Sequence, residues 1–300
     1  MPPADPASGA PARCPNCGAP AGSPFCPECG QSRHDRLHVP LRHLLGEVAE
    51  EAVGIDSRFA RTLGPLLARP GAVSADVLAG RRARYSSALR LSLVARFAFF
   101  GLSAVLPGSG PGGQGEISLQ IGRADGSAVQ VSSARPEDLA SAEAELRRDG
   151  GRLSTALADR LHAMRALPPG EAARRLQADL FQALPRVAFV LVPVFAALLG
   201  LAFAGQGRFY AEHLVVALHQ HAVGFLVLVP SVLARSQAVT LASAAAIGLH
   251  TVVALRRIYG RSWPGTVWRC ALVGLGYLLA LGLGIAAAAL LALAFFPTGP

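Results

Sequence analysis

From Val187 to Phe296 the chain alternates long apolar runs with short basic punctuation. The charged side chains of that stretch are Arg208, Glu212, Arg235, Arg256, Arg257, Arg261 and Arg269. They separate four uncharged, mostly apolar runs: 187–207, 214–234, 236–255 and 270–296. Each is about 20 residues or longer, enough for a helix to cross a hydrocarbon layer roughly 30 Å thick. A soluble helix of that length would carry a polar face, and these runs have almost none. They predict four transmembrane helices. Leu89 to Leu106 is a fifth apolar run, carrying Arg90 and Arg96. Arg90 can snorkel to the headgroups, but Arg96 falls about 10 Å deeper along a helix. This run either crosses or lies at the interface.

Shorter periodicities organise the rest. Leu41, Leu44, Leu45, Val48 and Ala52 form one stripe of an amphipathic helix. Phe59, Leu63, Leu66 and Leu67 suggest a second short helix, disturbed at Pro65. Ser74 is placed to cap a turn through Asp76–Ala79 that Gly80 stops. These helices would either lie on a membrane surface or pack on the spans. Between 107 and 184, Ile117, Leu119 and Ile121 alternate, as do Val129 and Val131, around Ala124-Asp125-Gly126, which signals a hairpin. A helix is expected from Pro136 to Arg147 and Arg148, before Asp149-Gly150-Gly151. Leu153, Leu157 and Leu161, then Leu176, Leu180 and Leu184, mark two more, split by Pro168-Pro169-Gly170. Gly108 to Gly113 spells G-x-G-x-x-G. Without a preceding strand and a following helix it is a flexible linker rather than a dinucleotide fingerprint.

Two cysteine pairs stand near the N-terminus, Cys14-Pro15-Asn16-Cys17-Gly18 and Cys26-Pro27-Glu28-Cys29-Gly30. Two C-x-x-C pairs at this separation can set four thiolates tetrahedrally around Zn²⁺, in a closed structural site with no open position for catalysis. Each following glycine suits a tight turn with positive φ. Phe25 is the sole large apolar side chain among residues 14–29, so metal binding would have to supply the folding free energy. The alternatives are two disulfides or redox thiols, which a reducing compartment and the missing βαβ context argue against. Cys270, at the head of the last apolar run, reads as a small buried hydrophobe.

Several segments resemble the bacterial membrane proteins grouped as domain-of-unknown-function family 3667. They are Cys29-Gly30-Gln31, Arg61-Thr62-Leu63, Arg69-Pro70-Gly71, Gly80-Arg81-Arg82-x-Arg84-Tyr85, Tyr210-x-x-His213-Leu214-Val215-x-Ala217-Leu218-His219-x-His221 and Arg257-x-Tyr259-Gly260-x-x-Trp263. The resemblance spans most of the chain outside roughly 107–184. It implies a zinc-ribbon head on a multi-span domain in a bacterial cytoplasmic membrane, and it implies no activity.

Charge placement then sets topology. The net charge is +9, and all 28 basic residues are arginine. They cluster beside apolar runs, which favours anionic lipid headgroups, with Arg81, Arg82, Arg84, Arg256, Arg257 and Arg261 as the candidate contacts. Nucleic acid would need a basic face with interleaved aromatics, which is not evident. Residues 1–13 lack a charged n-region followed by an apolar h-region, so this leader is expected to stay in the cytosol. The loop with Arg256, Arg257, Arg261 and Arg269 should also face the cytosol. Both hold only if an even number of spans lies between them, which makes Leu89–Leu106 a span.

The expected fold is mainly α: a helical transmembrane bundle of about five spans, with a small N-terminal zinc ribbon and an extracytoplasmic α+β or helical insert. Its parts are a leader (1–13), the ribbon (14–31), a basic cytosolic linker with amphipathic helices (32–85) and the first span (86–106). The insert (107–184) and a four-helix transmembrane domain (185–300) follow. The N-terminus is expected inside and the C-terminus outside.

Glu212, His213, His219, Gln220, His221 and His250 are the polar groups inside the spans. Such groups are costly in lipid and usually face the bundle interior. His213, Ala217, Gln220, His221 and Gly224 share one helix face, and His219 lies well off it. They read either as a proton or ion relay or metal site, with Glu212 tuning His213, or as interhelical hydrogen bonds. Gly276, Ala280, Gly284 and Ala288 form a small-residue stripe, with Ala238, Ala242 and Ala246 as its suggested counterpart. Nothing resembles a nucleophile elbow, a phosphate-cradling loop or a paired-carboxylate site. The first functional expectation is a non-enzymatic membrane protein whose zinc ribbon docks a cytosolic partner. The alternative is a small transporter or ion-conducting protein using span 213–221.

Overall fold

The computed structural model of the chain describes residues 13–20, 22–31, 57–106, 120–122, 128–130, 136–168 and 171–295. The stripe Leu41–Ala52, the linker Gly108–Gly113 and the turn Ala124–Gly126 lie outside these residues.

Among the described residues, nine helices and two short strands follow in order: α1 (Ser57–Ala68), α2 (Ala72–Leu78), α3 (Ala88–Val105), β1 (Gln120–Gly122), β2 (Ala128–Gln130), α4 (Pro136–Asp149), α5 (Arg152–Arg165), α6 (Glu171–Ala202), α7 (Tyr210–Ala234), α8 (Gln237–Tyr259) and α9 (Trp263–Ala294). Five of them are long and apolar enough to cross a membrane: α3, α7, α8, α9 and, within α6, Arg174–Ala202. The sequence places the same five runs.

The chain divides into two compact units, Met1–Phe99 with Val192–Tyr277, and Phe100–Leu191 with Leu278–Pro300. In the first, the short helices pack on the long ones rather than standing apart: α1 touches α7, and α2 touches both α7 and α8. Phe59, Leu66 and Val73 bury against Leu91, Ala95, Ala222 and Val223. A second cluster joins Phe195, Leu199 and Phe203 to Val216, Leu255 and Tyr259. α1 continues through Pro65, which falls in its last turn. Gly71 ends the connection to α2 in the left-handed region (φ 75°) and serves as the N-cap of α2. Ser74 therefore lies inside α2 rather than capping a later turn, and its side chain is free for another use.

The outward faces of the long helices are apolar: Leu241, Leu249, Leu275 and Leu283 are all exposed. The buried set instead includes Ser92, Arg96, His213, His219, Gln220 and His221. Exposed leucines around buried polar groups are what a lipid-facing bundle presents, because hydrocarbon solvates the former and rejects the latter.

Glycines set the close approaches of α9 to α6. In the first unit a Cβ on Gly276 would stand 3.0 Å from Leu198 Cδ2. In the second, one on Gly284 would stand 2.8 Å from Val187 Cγ1. The expected counterpart, Ala238, Ala242 and Ala246 on α8, is exposed. A small-residue stripe lets any neighbour approach and does not select one.

The second unit also holds β1 and β2, antiparallel with Ile121 opposite Val129, and the packed pair α4 and α5. Glu143 of α4 accepts from Arg165 (2.7 Å) and Arg147 (3.3 Å). Arg165 above all holds its carboxyl below the usual range, against the opposing effect of burial. The segment 171–202 is one continuous helix, so the amphipathic stripe Leu176–Leu184 and the apolar run that follows share an axis.

Candidate metal centre and buried polar seam

Each cysteine pair folds into the same turn. In the first, Cys14 N–H donates to Ala19 O (2.9 Å) and Gly18 N–H to Cys14 O (2.8 Å). In the second, Cys26 N–H donates to Gln31 O (2.9 Å) and Gly30 N–H to Cys26 O (2.8 Å). Gly18 (φ 79°) and Gly30 (φ 68°) take the positive φ that the tight turn demands. The turns face each other through their thiols: Cys14 Sγ lies 3.6 Å from Cys29 Sγ, and Cys17 Sγ 3.5 Å from Cys26 Sγ. All four sulfurs lie within 4.8 Å of one another. Four thiolates about 2.3 Å from one ion in a tetrahedron would be about 3.8 Å apart, so these donors fit a metal.

The electrostatics point the same way. Backbone N–H groups of Cys17 and Asn16 stabilise the Cys14 thiolate and, despite burial, bring it down to about 7. At Cys17 the N–H of Ala19 acts in the same direction. Burial and the three neighbouring thiols override it and push Cys17 up to about 12. A first negative charge is accommodated cheaply and further ones are not, so a cation is the natural partner of this donor set. The arrangement can hold a metal ion, and a set of four sulfurs leaves no position for substrate.

The knuckles rest on the loop between α2 and α3. Gln31, almost fully buried, places its side-chain amide into that loop: Nε2 donates to Gly80 O (2.7 Å), and Oε1 accepts from Arg82 N (3.1 Å) and Ala83 N (3.2 Å). Pro15 of the first knuckle lies over Gly80, where an added Cβ would stand 3.3 Å from the proline Cβ. The same loop is tied to α2 by Asp76, which accepts from Arg81 and Arg84, each at 2.6 Å, and from Tyr85 Oη (2.6 Å). Burial opposes ionisation of Asp76, yet Tyr85 and the two guanidiniums hold its carboxyl down at about 2.

The intramembrane candidates do not converge on one point. Glu212 sits in the first turn of α7, where Oε2 accepts from Phe209 N (2.8 Å) and Oε1 from Arg208 (3.1 Å). His213 Nδ1 pairs with Tyr259 Oη at 2.6 Å. His219, wholly buried, pairs through Nδ1 with Ser74 Oγ at 2.9 Å. Gln220 Oε1 accepts from Thr251 Oγ1 (3.2 Å). His221 Nδ1–H donates to Ala217 O (2.8 Å), which leaves Nε2 to accept from Tyr277 Oη (3.1 Å). His250 Nε2–H donates to Leu66 O (3.0 Å). His219, off the face shared by His213 and His221, is covered there by α2. Among the described residues the cysteines form the one cluster suited to a metal, and these histidines are not part of it.

The arginines expected at headgroups have intramolecular uses as well. Arg81 and Arg84 bind Asp76, and the Arg82 backbone binds Gln31. Arg256 stacks over Trp263 at 4.3 Å, and Arg257 donates to Pro70 O at 2.7 Å. Arg261 lines an open polar cleft of about 570 Å³ with Gln206, Arg208, Glu212 and Tyr259. Gln31, Ser74, Asp76, Tyr259 and Tyr277 hold these sites together and are not among the residues the sequence marks as site candidates. Gln31 and Tyr259 do fall within the segments that carry the family resemblance, the one signal pointing to them. Cys270 is half-buried against the apolar cluster of the first unit, as a small hydrophobe would be.

A protein-family model described as "Protein of unknown function (DUF3667)" matches residues 56–100. The matched stretch runs through α1, α2, the loop gripped by the knuckles and most of α3. No curated protein matches the chain, and no solved structure does.

Proposed function

We propose that the chain is a non-catalytic, multi-pass protein of a bacterial cytoplasmic membrane whose cysteine knuckles hold a structural Zn²⁺ and dock a cytosolic protein. The observation that carries this is the closed set of four thiols, fixed to the base of the spans through Gln31. Zinc is favoured among metals by an all-sulfur tetrahedral donor set in a reducing compartment. A docking role is supported by the closed donor set, which leaves no position for substrate, and by Phe25, 60% exposed on the stretch between the two cysteine pairs and free to meet a partner. The basic connection Arg256–Arg269 favours an inward N-terminus and an outward C-terminus, with anionic headgroups beside Arg261. A relay through the histidine-bearing span has less support, because each histidine there is engaged by a different neighbour.

The test places a photocrosslinking residue at position 25 in cells and adds metal analysis of the purified full-length chain. The expected result is about one zinc per chain and a discrete protein adduct that disappears in Cys14→Ser while membrane insertion is unchanged. Adducts equally strong with and without the metal ligands would end the docking proposal. Labelling of the knuckle thiols on intact cells by an impermeant reagent would end the assigned topology.

A further inference from the structure

Both knuckles touch the same short loop, Pro15 at Gly80 and Gln31 at Gly80, Arg82 and Ala83. Among the described residues no backbone hydrogen bond joins one knuckle to the other. What joins them is the thiol cluster, in which each close sulfur pair takes one cysteine from each knuckle. We infer that the knuckles are a metal-set clasp: when the four thiolates share an ion, Pro15 and Gln31 are held in register on the Gly80–Ala83 loop, and when the ion leaves, the clasp opens and the loop is released. This rests on the metal-binding reading of the cysteines.

Release would reach the bundle along bonds already described. Asp76 ties Arg81, Arg84 and Tyr85 to α2, and Ser74, two residues earlier on that helix, holds His219 on α7. Ser86 N–H, just past the loop, donates to Thr62 Oγ1 of α1 (3.0 Å). The loop is thus the junction at which α1, α2 and the start of α3 are tied. In the chain's own terms, Gln31 reads the state of the cysteines, because its carbonyl oxygen closes the second knuckle while its side chain enters the loop.

The test is hydrogen–deuterium exchange on the full-length protein in detergent, with zinc bound and after chelation, and zinc content measured on the same samples. The Arg82 and Ala83 amides donate to Gln31, so chelation should speed their exchange about tenfold or more, as expected when one or two hydrogen bonds are lost. Amides in the middle of α8 serve as the unaffected reference. Gln31→Ala should exchange fast at those two amides with zinc still bound, because Gln31 offers no ligand atom to the cluster. If zinc leaves and exchange at Arg82 and Ala83 does not change, the clasp is refuted while the metal site stands. Slow exchange in zinc-loaded Gln31→Ala refutes it equally. If the purified chain binds no zinc at all, the metal reading itself fails and the clasp with it.

Discussion

Gly71 lies close against the backbone of α8, and a single methyl group tests whether that contact matters. A Cβ built there would stand 2.7 Å from Ala254 O and 2.8 Å from Ala254 Cα, both backbone atoms of α8 that no rotamer change can move. The residue also has φ 75°, a conformation that costs a non-glycine residue about 1–2 kcal/mol. To relieve the clash, α2 must lift off α8 by several tenths of an ångström. That displacement strains the Ser74–His219 pair, the His250 bond to Leu66 O and the Arg257 bond to Pro70 O. Weakening one buried hydrogen bond adds about 1–3 kcal/mol. Gly71→Ala should therefore cost about 2–5 kcal/mol, enough to lower Tm in detergent by on the order of 10 °C. Gly64→Ala is the matched control. Gly64 lies in α1 with nothing within 4 Å of an added Cβ, and alanine in a helix gains about 0.5–1 kcal/mol over glycine. Circular dichroism melts of the two variants beside the parent give the answer. A Gly71→Ala protein melting within about 2 °C of the parent would refute the contact. A Gly64→Ala protein equally damaged would show that the short helices tolerate no change at all.

Two further outcomes follow from the same packing. Asp76 titrates at about 2 in the folded protein against an ordinary 3.8, so its stabilisation is complete above about pH 4 and is lost as pH falls toward 2. Asp76→Asn should remove about 1–2 kcal/mol at neutral pH, discounted because Arg81 and Arg84 are exposed, and should flatten the Tm profile between pH 4 and 2; an unchanged acid limb would show that the carboxylate contributes nothing. Ser74→Ala and His219→Phe should each destabilise by about 1–3 kcal/mol, and the double variant by less than their sum by about 1 kcal/mol, whereas strict additivity in thermal melts would mean the pair does not interact.

The five long helices were legible because spanning is close to a one-body property: length and lack of charge in a single run decide it. The turn geometry of the knuckles was legible too, since C-x-x-C-G encodes both the ligands and the positive φ. What the helices do to one another was not legible in the same way. Ser74 followed by Asp76 resembles a cap, yet Gly71 had already started the helix, and Ser74 was left to face His219. His219 lies off the face shared by His213 and His221, and a single-helix projection could not reveal that α2 covers that second side. The stripe on α9 announced a close neighbour, and only Leu198 and Val187 identified it as α6. Partner choice is a two-body property, and a sequence read alone carries the surfaces without the pairing.

The polar seam makes sense once the solvent is taken as lipid. Apolar surfaces gain little by meeting each other in hydrocarbon, so the hydrophobic effect cannot tell α2 which face of the bundle to cover. A hydrogen bond can, because an unsatisfied polar group in a dry interior is expensive wherever it is left. His219 takes Ser74, His250 takes the end of α1, His213 takes Tyr259 and His221 takes Tyr277. A proton relay would need successive groups to share partners, and these four pairs share none. Each bond instead selects one neighbour, and two of the four select the short helices within the stretch 56–100 that the family model matches. His219, His250 and the knuckles thus act on one object, the two histidines fixing where the short helices sit and, in the proposed clasp, the knuckles setting whether their loop is held.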